Sequence, residues 1–547
     1  MTGREPSAGT KGPVGPGVVY SALAAASLVF VAAITLTASQ PPPPSIAEFA
    51  PQAVEQIKEA PTEQSSAFGS GEGGACPPGA EGCEADEVIG GELAARPPRP
   101  VVDVARVRRC VGDPPRQIED PQSPPCVPYW EGDNGGATYK GVTRDEIRIY
   151  VPANSARTPS LAYPLFEAFF NSRFEFYGRK LRMVLQSRDS CAEADQRADA
   201  VEAESFEVFA SAHYQCHYGY WYLDELARRG IIGITSEPPS GAYLADRRPY
   251  VWSYPMDTDA IFANVGEWVC GRLAGGDAIH AGDEALRTKE RSFGVVHHSV
   301  NLDEPIELGP LEDALAACGA DPAVSIPHTY GDRAGATNVM LQMQERGVTS
   351  VICLCHFQGN WSNLARAATT QSYHPEWLMN TYIGGDASGA VRLIPPDQAE
   401  NAFGITIEPR VLRVEDEPWY WAACEVGECL EAEAGTRAMQ YRGMLLLASG
   451  IQMAGPNLTP ETFEAGLQST MFPNPDHPNL PGKVGFAGRS YSMTTDGAEI
   501  FWSATAQDPN DGSAGHYCYV DGGARHGRGS WPQGGDPFFK EPCDSGA

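Results

Sequence analysis

Histidines, tyrosines and hydroxyls in the middle of the chain are the residues whose types could do chemistry: Ser155, His213, Tyr214, Ser236, His298, Tyr330, His356 and Tyr382. His213, His298 and His356, with His217, His297 and Cys355 beside them, are of the kind that ligates zinc. Their spacing matches no ligand pattern, so no metal site and no cofactor is assigned. Catalysis lacks a signature as well: there is no G-x-S-x-G elbow, no H-E-x-x-H, no phosphate-binding loop and no G-x-G-x-x-G after a strand. The sequence reads as a non-enzyme. What these residue types can do together is hold a small molecule, with imidazoles and hydroxyls hydrogen-bonding and tyrosines stacking on it.

Such side chains converge only if the backbone brings them to one edge. Between Gly141 and Asp189, Ile147, Ile149 and Val151 alternate like one face of a strand, an apolar run from Leu165 to Phe176 recurs at helical spacing, and a second strand spans Leu181 to Leu185. Strand, helix and strand in so short a stretch form a βαβ unit, which demands a parallel sheet covered by helices. The alternation continues with a helix from Ala192 to Glu204, a strand at Phe206–Ala210, a helix around Tyr218 to Arg228 and a strand at Ile231–Thr235. A fresh series begins at Phe293–His297 and runs through strands at Ala323–Ile326, Ser350–Leu354, Trp377–Asn380 and Ala402–Thr406. The fold class is therefore α/β, as two Rossmann-like lobes with parallel-sheet cores. In open α/β sheets ligands bind beyond the carboxyl ends of the strands. That rule selects the eight residues above, with Asn154, Glu237 and Phe357 as neighbours.

Gly141-Val142-Thr143 before the first strand, Asn171 late in the helix, Gly178-Arg179-Lys180 before the second strand, and Asp189 with Cys191 after it resemble the opening of the type I periplasmic binding proteins. Within that group the pattern is most similar to the branched-chain amino-acid (Leu/Ile/Val) binding component of ABC transporters, and the resemblance runs from Gly141 to about Cys543. It implies a hinge between the lobes, a helix at Gly435–Ala454 on the return across it, closing strands at Gly482–Phe486 and Tyr491–Met493, and delivery of a small polar ligand, such as an amino acid, to an ABC permease. The family typically carries small hydroxyl residues and glycine after its third strand. Here Ser211-Ala212-His213-Tyr214-Gln215-Cys216 stands instead, so bulky groups either stack on an aromatic, sugar-like or peptide ligand or fill a degenerate cleft. The competing expectation is a membrane-anchored cell-surface sensor or scaffold.

The ends of the chain set where it works. Val18–Ala38 is uncharged and just long enough to span a bilayer as a helix, with Arg4 and Lys11 before it. The expected order is a cytoplasmic stretch 1–17, a transmembrane anchor or signal segment 18–38, a disordered Pro/Gly-rich linker 39–138, a first lobe 139–255, a second lobe 256–410, and 411–547 as hinge return, completion of the first lobe and a disulfide-stapled tail without a core pattern. That places the large domain outside the membrane. The formal net charge of −30 repels phosphate backbones, and nucleic acid is not an expected partner. Fourteen cysteines, an even number on an exported chain, read as bridges. Proximity pairs Cys76 with Cys83, Cys110 with Cys126, Cys191 with Cys216, Cys424 with Cys429 and Cys518 with Cys543. Cys270, Cys318, Cys353 and Cys355 remain with their connectivity open, although Cys353 and Cys355, two apart in a strand, face the same way and do not favour each other. Asn360-Trp361-Ser362 and Asn457-Leu458-Thr459 match the glycosylation acceptor.

Overall fold

The computed structural model describes residues 110–111, 116–117, 122–154, 162–188, 191–214, 220–299, 306–427, 429, 434–469, 471–472, 484–486, 490–535 and 543. Ser155 and the expected membrane segment Val18–Ala38 lie outside them. Among the described residues no helix is long and apolar enough to cross a membrane.

The first lobe alternates β1 (Glu146–Asn154), α1 (Ala162–Arg173), β2 (Lys180–Arg188), α2 (Glu193–Ser205), β3 (Ala210–Tyr214), α3 (Trp221–Arg228), β4 (Ile232–Thr235) and β5 (Val251–Ser253). The strands are all parallel, in the order β2-β1-β3-β4-β5. Ile147, Ile149 and Val151 are fully buried, as their alternation requires. β3 starts four residues later than the Phe206–Ala210 expectation. The end of α2 is closed by a turn, with Phe206 N donating to Ala203 O and Glu207 N to Glu204 O, and Glu207 takes a positive φ of 50°. The apolar Phe206–Phe209 stretch is used for that turn, and His213 and Tyr214 become the last two residues of the strand.

The second lobe holds α4 (Thr258–Arg272), β6 (Phe293–Ser299), α5 (Gly309–Ala316), β7 (Val324–Thr329), α6 (Arg333–Glu345), β8 (Ser350–Leu354), α7 (Ser362–Thr370), β9 (Glu376–Met379) and β10 (Ala402–Thr406). Its parallel strands follow the order β7-β6-β8-β9-β10, the same permutation as in the first lobe. β8, β9 and β10 are buried on both faces, and in β8 Val351 and Cys353 point into one core and Ile352 and Leu354 into the other. Gly404 lets β10 close on β9, since a Cβ there would stand 1.9 Å from Met379 O. Away from the cleft, Arg291 and Glu376 form a fully buried ion pair at 2.8 Å, and Ser350 Oγ and His280 N also donate to the carboxylate.

The chain then returns through α8 (Pro418–Glu425), α9 (Ala434–Ala454) and α10 (Pro460–Gln468). α9 packs across α1, β3 and β4 of the first lobe. α10 starts at a capping box in which Thr459 and Thr462 each bond the other's backbone, as the T-x-x-T spacing predicts. The tail differs from expectation. β11 (Asp496–Gln507) and β12 (Ala514–Tyr519) extend the second sheet antiparallel beyond β10, with β13 (Arg525–Gly527) pairing β11. Ile500, Trp502, Tyr517 and Tyr519 enter one face of the core and Phe501, Cys518 and Val520 the other, an alternation hidden in sequence by the Gly/Asp/Pro-rich turn between the strands.

Bridges join Cys270 to Cys318, Cys424 to Cys429 and Cys518 to Cys543. Cys353 is bonded to Cys355, against the expectation. β8 ends at Leu354, so Cys355 is no longer bound by the two-residue period, and the Cα atoms are 5.1 Å apart. Two residues of a continuing strand would span about 6.6 Å. Cys126 and Cys191 are bridged as well.

The linker expectation to residue 138 is also corrected. Gln122–Val127 are buried despite their proline content, because they lie along α9. Gln452 Nε2 donates to Pro125 O at 2.9 Å, Trp130 N to Glu175 Oε2 at 3.0 Å, Arg179 Nη2 to Asn134 O at 2.6 Å, and Thr138 Oγ1 to Leu458 O at 2.7 Å. Residues 122–138 thus form a strap on the first lobe.

Three segments cross between the lobes, after β5, after β10 and before β11. They are bonded to one another. Ser253 N donates to Tyr491 O and Met493 N to Ser253 O, both at 2.9 Å, and Thr494 Oγ1 donates to Tyr254 O at 2.9 Å. Arg525 clamps the other two, donating to Glu408 O, Ile407 O, Asp496 O and Asp496 Oδ1 at 2.8 to 2.9 Å. Three hydrogen-bonded crossings form a hinge, which restricts lobe motion to bending.

Candidate functional site

In the strand order shared by both lobes, the sheet reverses direction of growth between the first and third strands, and the crevice beyond their carboxyl ends is where such sheets bind ligands. In the second lobe β7, β6 and β8 lie side by side. Tyr330 follows the last residue of β7, His298 is the penultimate residue of β6, and His356 lies two residues beyond β8. The structure brings these three sequence-selected residues together: ring centroids are 6.3 Å apart for His298 and Tyr330, 6.2 Å for His298 and His356, and 5.0 Å for Tyr330 and His356, whose planes stand at 90°. Tyr330 is 39% exposed although His298 behind it is only 4% exposed. Its ring lies directly on Gly359, where a Cβ would come within 2.3 Å of it.

Behind this wall stand two residues that the sequence reading did not select. Asn360 Nδ2 donates to His328 Nδ1 at 2.8 Å and to His328 O at 2.7 Å, and His328 Nε2 donates to Asp332 O at 2.8 Å. A carbonyl can only accept, so His328 is neutral with its proton on Nε2. Asn360 Oδ1 and His298 Nδ1 are buried beside each other, and Asn360 bonds the His298 ring. Asn360 is fully buried, which removes the glycosylation reading of Asn360-Trp361-Ser362. The one signal that sequence offered for this layer was the H-x-Y spacing of His328 and Tyr330.

Burial pushes His298 down to about 4, against the pull of Asn360, and burial lowers His297 and His328 too. At neutral pH the His298 imidazole is uncharged, beside the exposed ring of Tyr330. Among the described residues no group of three or more His, Cys, Asp or Glu is placed to hold a metal ion.

Ser236 and Tyr382 lie elsewhere, nearer the hinge. The Ser236 hydroxyl bonds Tyr254, and the Glu237 carboxylate acts on both Tyr254 and Tyr382, so the loop after β4 faces the segment after β9. Tyr382 is 4% exposed, its ring packed edge-on against Phe262 at 5.2 Å, and burial first, Glu237 second, raises its phenol. Close by, Asp386 accepts from Thr381 Oγ1 at 2.8 Å and from Thr406 Oγ1, and burial with the neighbouring Glu408 pushes it up to about 6. Arg442, on α9 of the first lobe, pairs with Glu408 at 2.7 Å. His213 and Tyr214 close β3 at the matching position of the first lobe; their side chains, like Ser155, fall outside the described set.

Comparison with solved structures places these features in context. A substrate-binding protein of an ABC transporter from Desulfitobacterium hafniense, solved with Leu, is 15% identical, covers 69% of this chain and 100% of its own, and superposes with a TM-score of 0.47. A solute-binding protein from R. palustris in complex with 4-hydroxybenzoate is 12% identical over 67% of this chain and 94% of its own, with a TM-score of 0.47. A putative branched-chain amino acid ABC transporter protein from Rhodospirillum rubrum is 12% identical over 65% of this chain and 97% of its own, with a TM-score of 0.46. No family model and no curated protein matches the sequence.

The repeated strand order and the triple crossing set two carboxyl edges at one hinge, the arrangement that the sequence resemblance to the type I periplasmic binding proteins implies. The similar structures are described as substrate-binding proteins of ABC transporters.

Proposed function

We propose that the protein is an extracytoplasmic solute-binding protein that captures a small polar ligand between its lobes, held to the membrane by Val18–Ala38 and serving an ABC-type permease. The observation that carries the reading is the Tyr330, His298 and His356 wall at the strand ends of the second lobe. An exposed tyrosine ring beside two imidazoles favours a ligand with a planar or apolar body and hydrogen-bonding edges.

The test is a thermal-shift screen with amino acids, aromatic acids, short peptides and sugars, followed by calorimetry on any compound that raises the melting temperature. Tyr330→Ala should weaken binding roughly tenfold, the loss of one aromatic contact and its burial. His356→Ala should weaken it comparably, with little change in the melting temperature of the free protein. Unchanged affinity in both variants places the ligand elsewhere. A screen without any hit, together with capture of a protein partner, favours the sensor or scaffold instead.

A further inference from the structure

The strap reaches the hinge. Its bonds to Glu175, Arg179, Gln452 and Leu458 tie it to the first lobe, while its first described residue, Gln122, is 6% exposed and lines a small hollow at the hinge. The other walls of that hollow come from all three crossings: Tyr254 and Pro255 from the first, Ile407, Glu408 and Pro409 from the second, and Met493 and Thr494 from the third, with Arg442 of α9 completing it. Hinges bend by backbone rotation at a few residues of the crossing segments. Pro255 and Pro409 have fixed φ, so bending must fall on their neighbours, the same residues that surround Gln122. Any rotation of the second lobe therefore reshapes the hollow around a side chain whose backbone is fixed to the first lobe.

We propose that Gln122–Val127 is a clasp that sets the angle of the hinge, through Gln122 seated among the three crossings. The clasp favours the lobe arrangement in which the hollow fits this side chain, and opposes others by overpacking or by leaving a void, each of which destabilises a well-packed site. The proposal concerns the hinge and does not require a ligand, so it can fail while the solute-binding reading stands, and the reverse.

Hydrogen exchange on the full chain, with small-angle scattering, tests it. Gln122→Ala should raise exchange of the crossing amides Tyr254, Ile407, Met493 and Thr494 at least about fivefold and change the radius of gyration, because a loosened hinge opens locally more often. Thr138→Ala, which removes a strap bond remote from the hollow, should leave those amides within about twofold of the parent. Gln122→Met keeps the length without the amide and covers the case in which truncation unfolds the strap; it should show an intermediate effect. The idea is overturned if crossing exchange in both Gln122 variants stays at the parent level. It is also overturned if exchange rises equally along α9, which would make the strap a cover for that helix and nothing more.

Discussion

Two titratable side chains near the cleft respond to pH in opposite senses, and each follows from its surroundings. His298 is buried and neutral, with its pKa lowered to about 4. The native state therefore holds fewer protons than the unfolded chain between about pH 6.5 and 4, so the stability it contributes is full above pH 6.5 and is lost as pH falls through 4. Asp386 is raised to about 6 by burial and Glu408. Here the native state keeps a proton that the unfolded chain has released, so stability is full below pH 4 and declines, by on the order of 2 kcal/mol, as pH climbs through 6. Asp386→Asn should flatten that decline in urea melts between pH 4 and 7 and leave the acid limb unchanged; an unaltered decline would assign it to another group. At the same scale, Gly359→Ala should displace the Tyr330 ring, and weaken a ligand found in the screen, without touching the ligand directly. Retained affinity in that variant would show that the ring position does not matter.

Elements are held in register by contacts far from the cleft. The Arg291–Glu376 pair joins the start of β9 to the segment before β6 at zero exposure. Removing one partner strands the other charge, so Arg291→Met should cost about 3–5 kcal/mol. Arg291→Met with Glu376→Gln should recover part of that loss, since a neutral amide removes the stranded charge and still accepts from Ser350 Oγ and His280 N. Denaturant midpoints of the two variants measure this, and equal losses in both would mean that packing and not charge governs the site. β11 and β12 make the same point differently. They protect the open side of β10 and enlarge the parallel sheet with an antiparallel border, which turns a tail of low apolar content into core.

For the whole molecule the decisive feature is the triple crossing, and Arg525 is its most connected side chain. It fixes the second crossing to the third through four hydrogen bonds. Arg525→Lys keeps the charge and loses the planar fork, so it should loosen the hinge while leaving each lobe folded. The expected result is faster exchange at Ile407, Glu408 and Asp496 with unchanged protection in β1 and β8. Uniform protection throughout would show that backbone pairing between Ser253 and Tyr491–Met493 alone holds the crossings.

Sequence alone determined the βαβ series, because period-two burial in β1 and continuous apolar runs in β8 and β10 admit little else, and the carboxyl-edge rule then selected Tyr330, His298 and His356, whose rings lie together. Local chemistry also sufficed for the T-x-x-T start of α10. Tertiary structure decided the rest. Asn360 and His328 became a buried pair only because β7 and β8 flank β6, adjacency that no spacing encodes. Cys353 and Cys355 met because the strand stops between them. The Pro-rich residues 122–127 and the tail strands look unsuited to a core, and they became ordered by lying against α9 and β10, surfaces that exist only once distant segments have packed. Burial in this protein is a property of what a segment meets, and composition reports only what it carries.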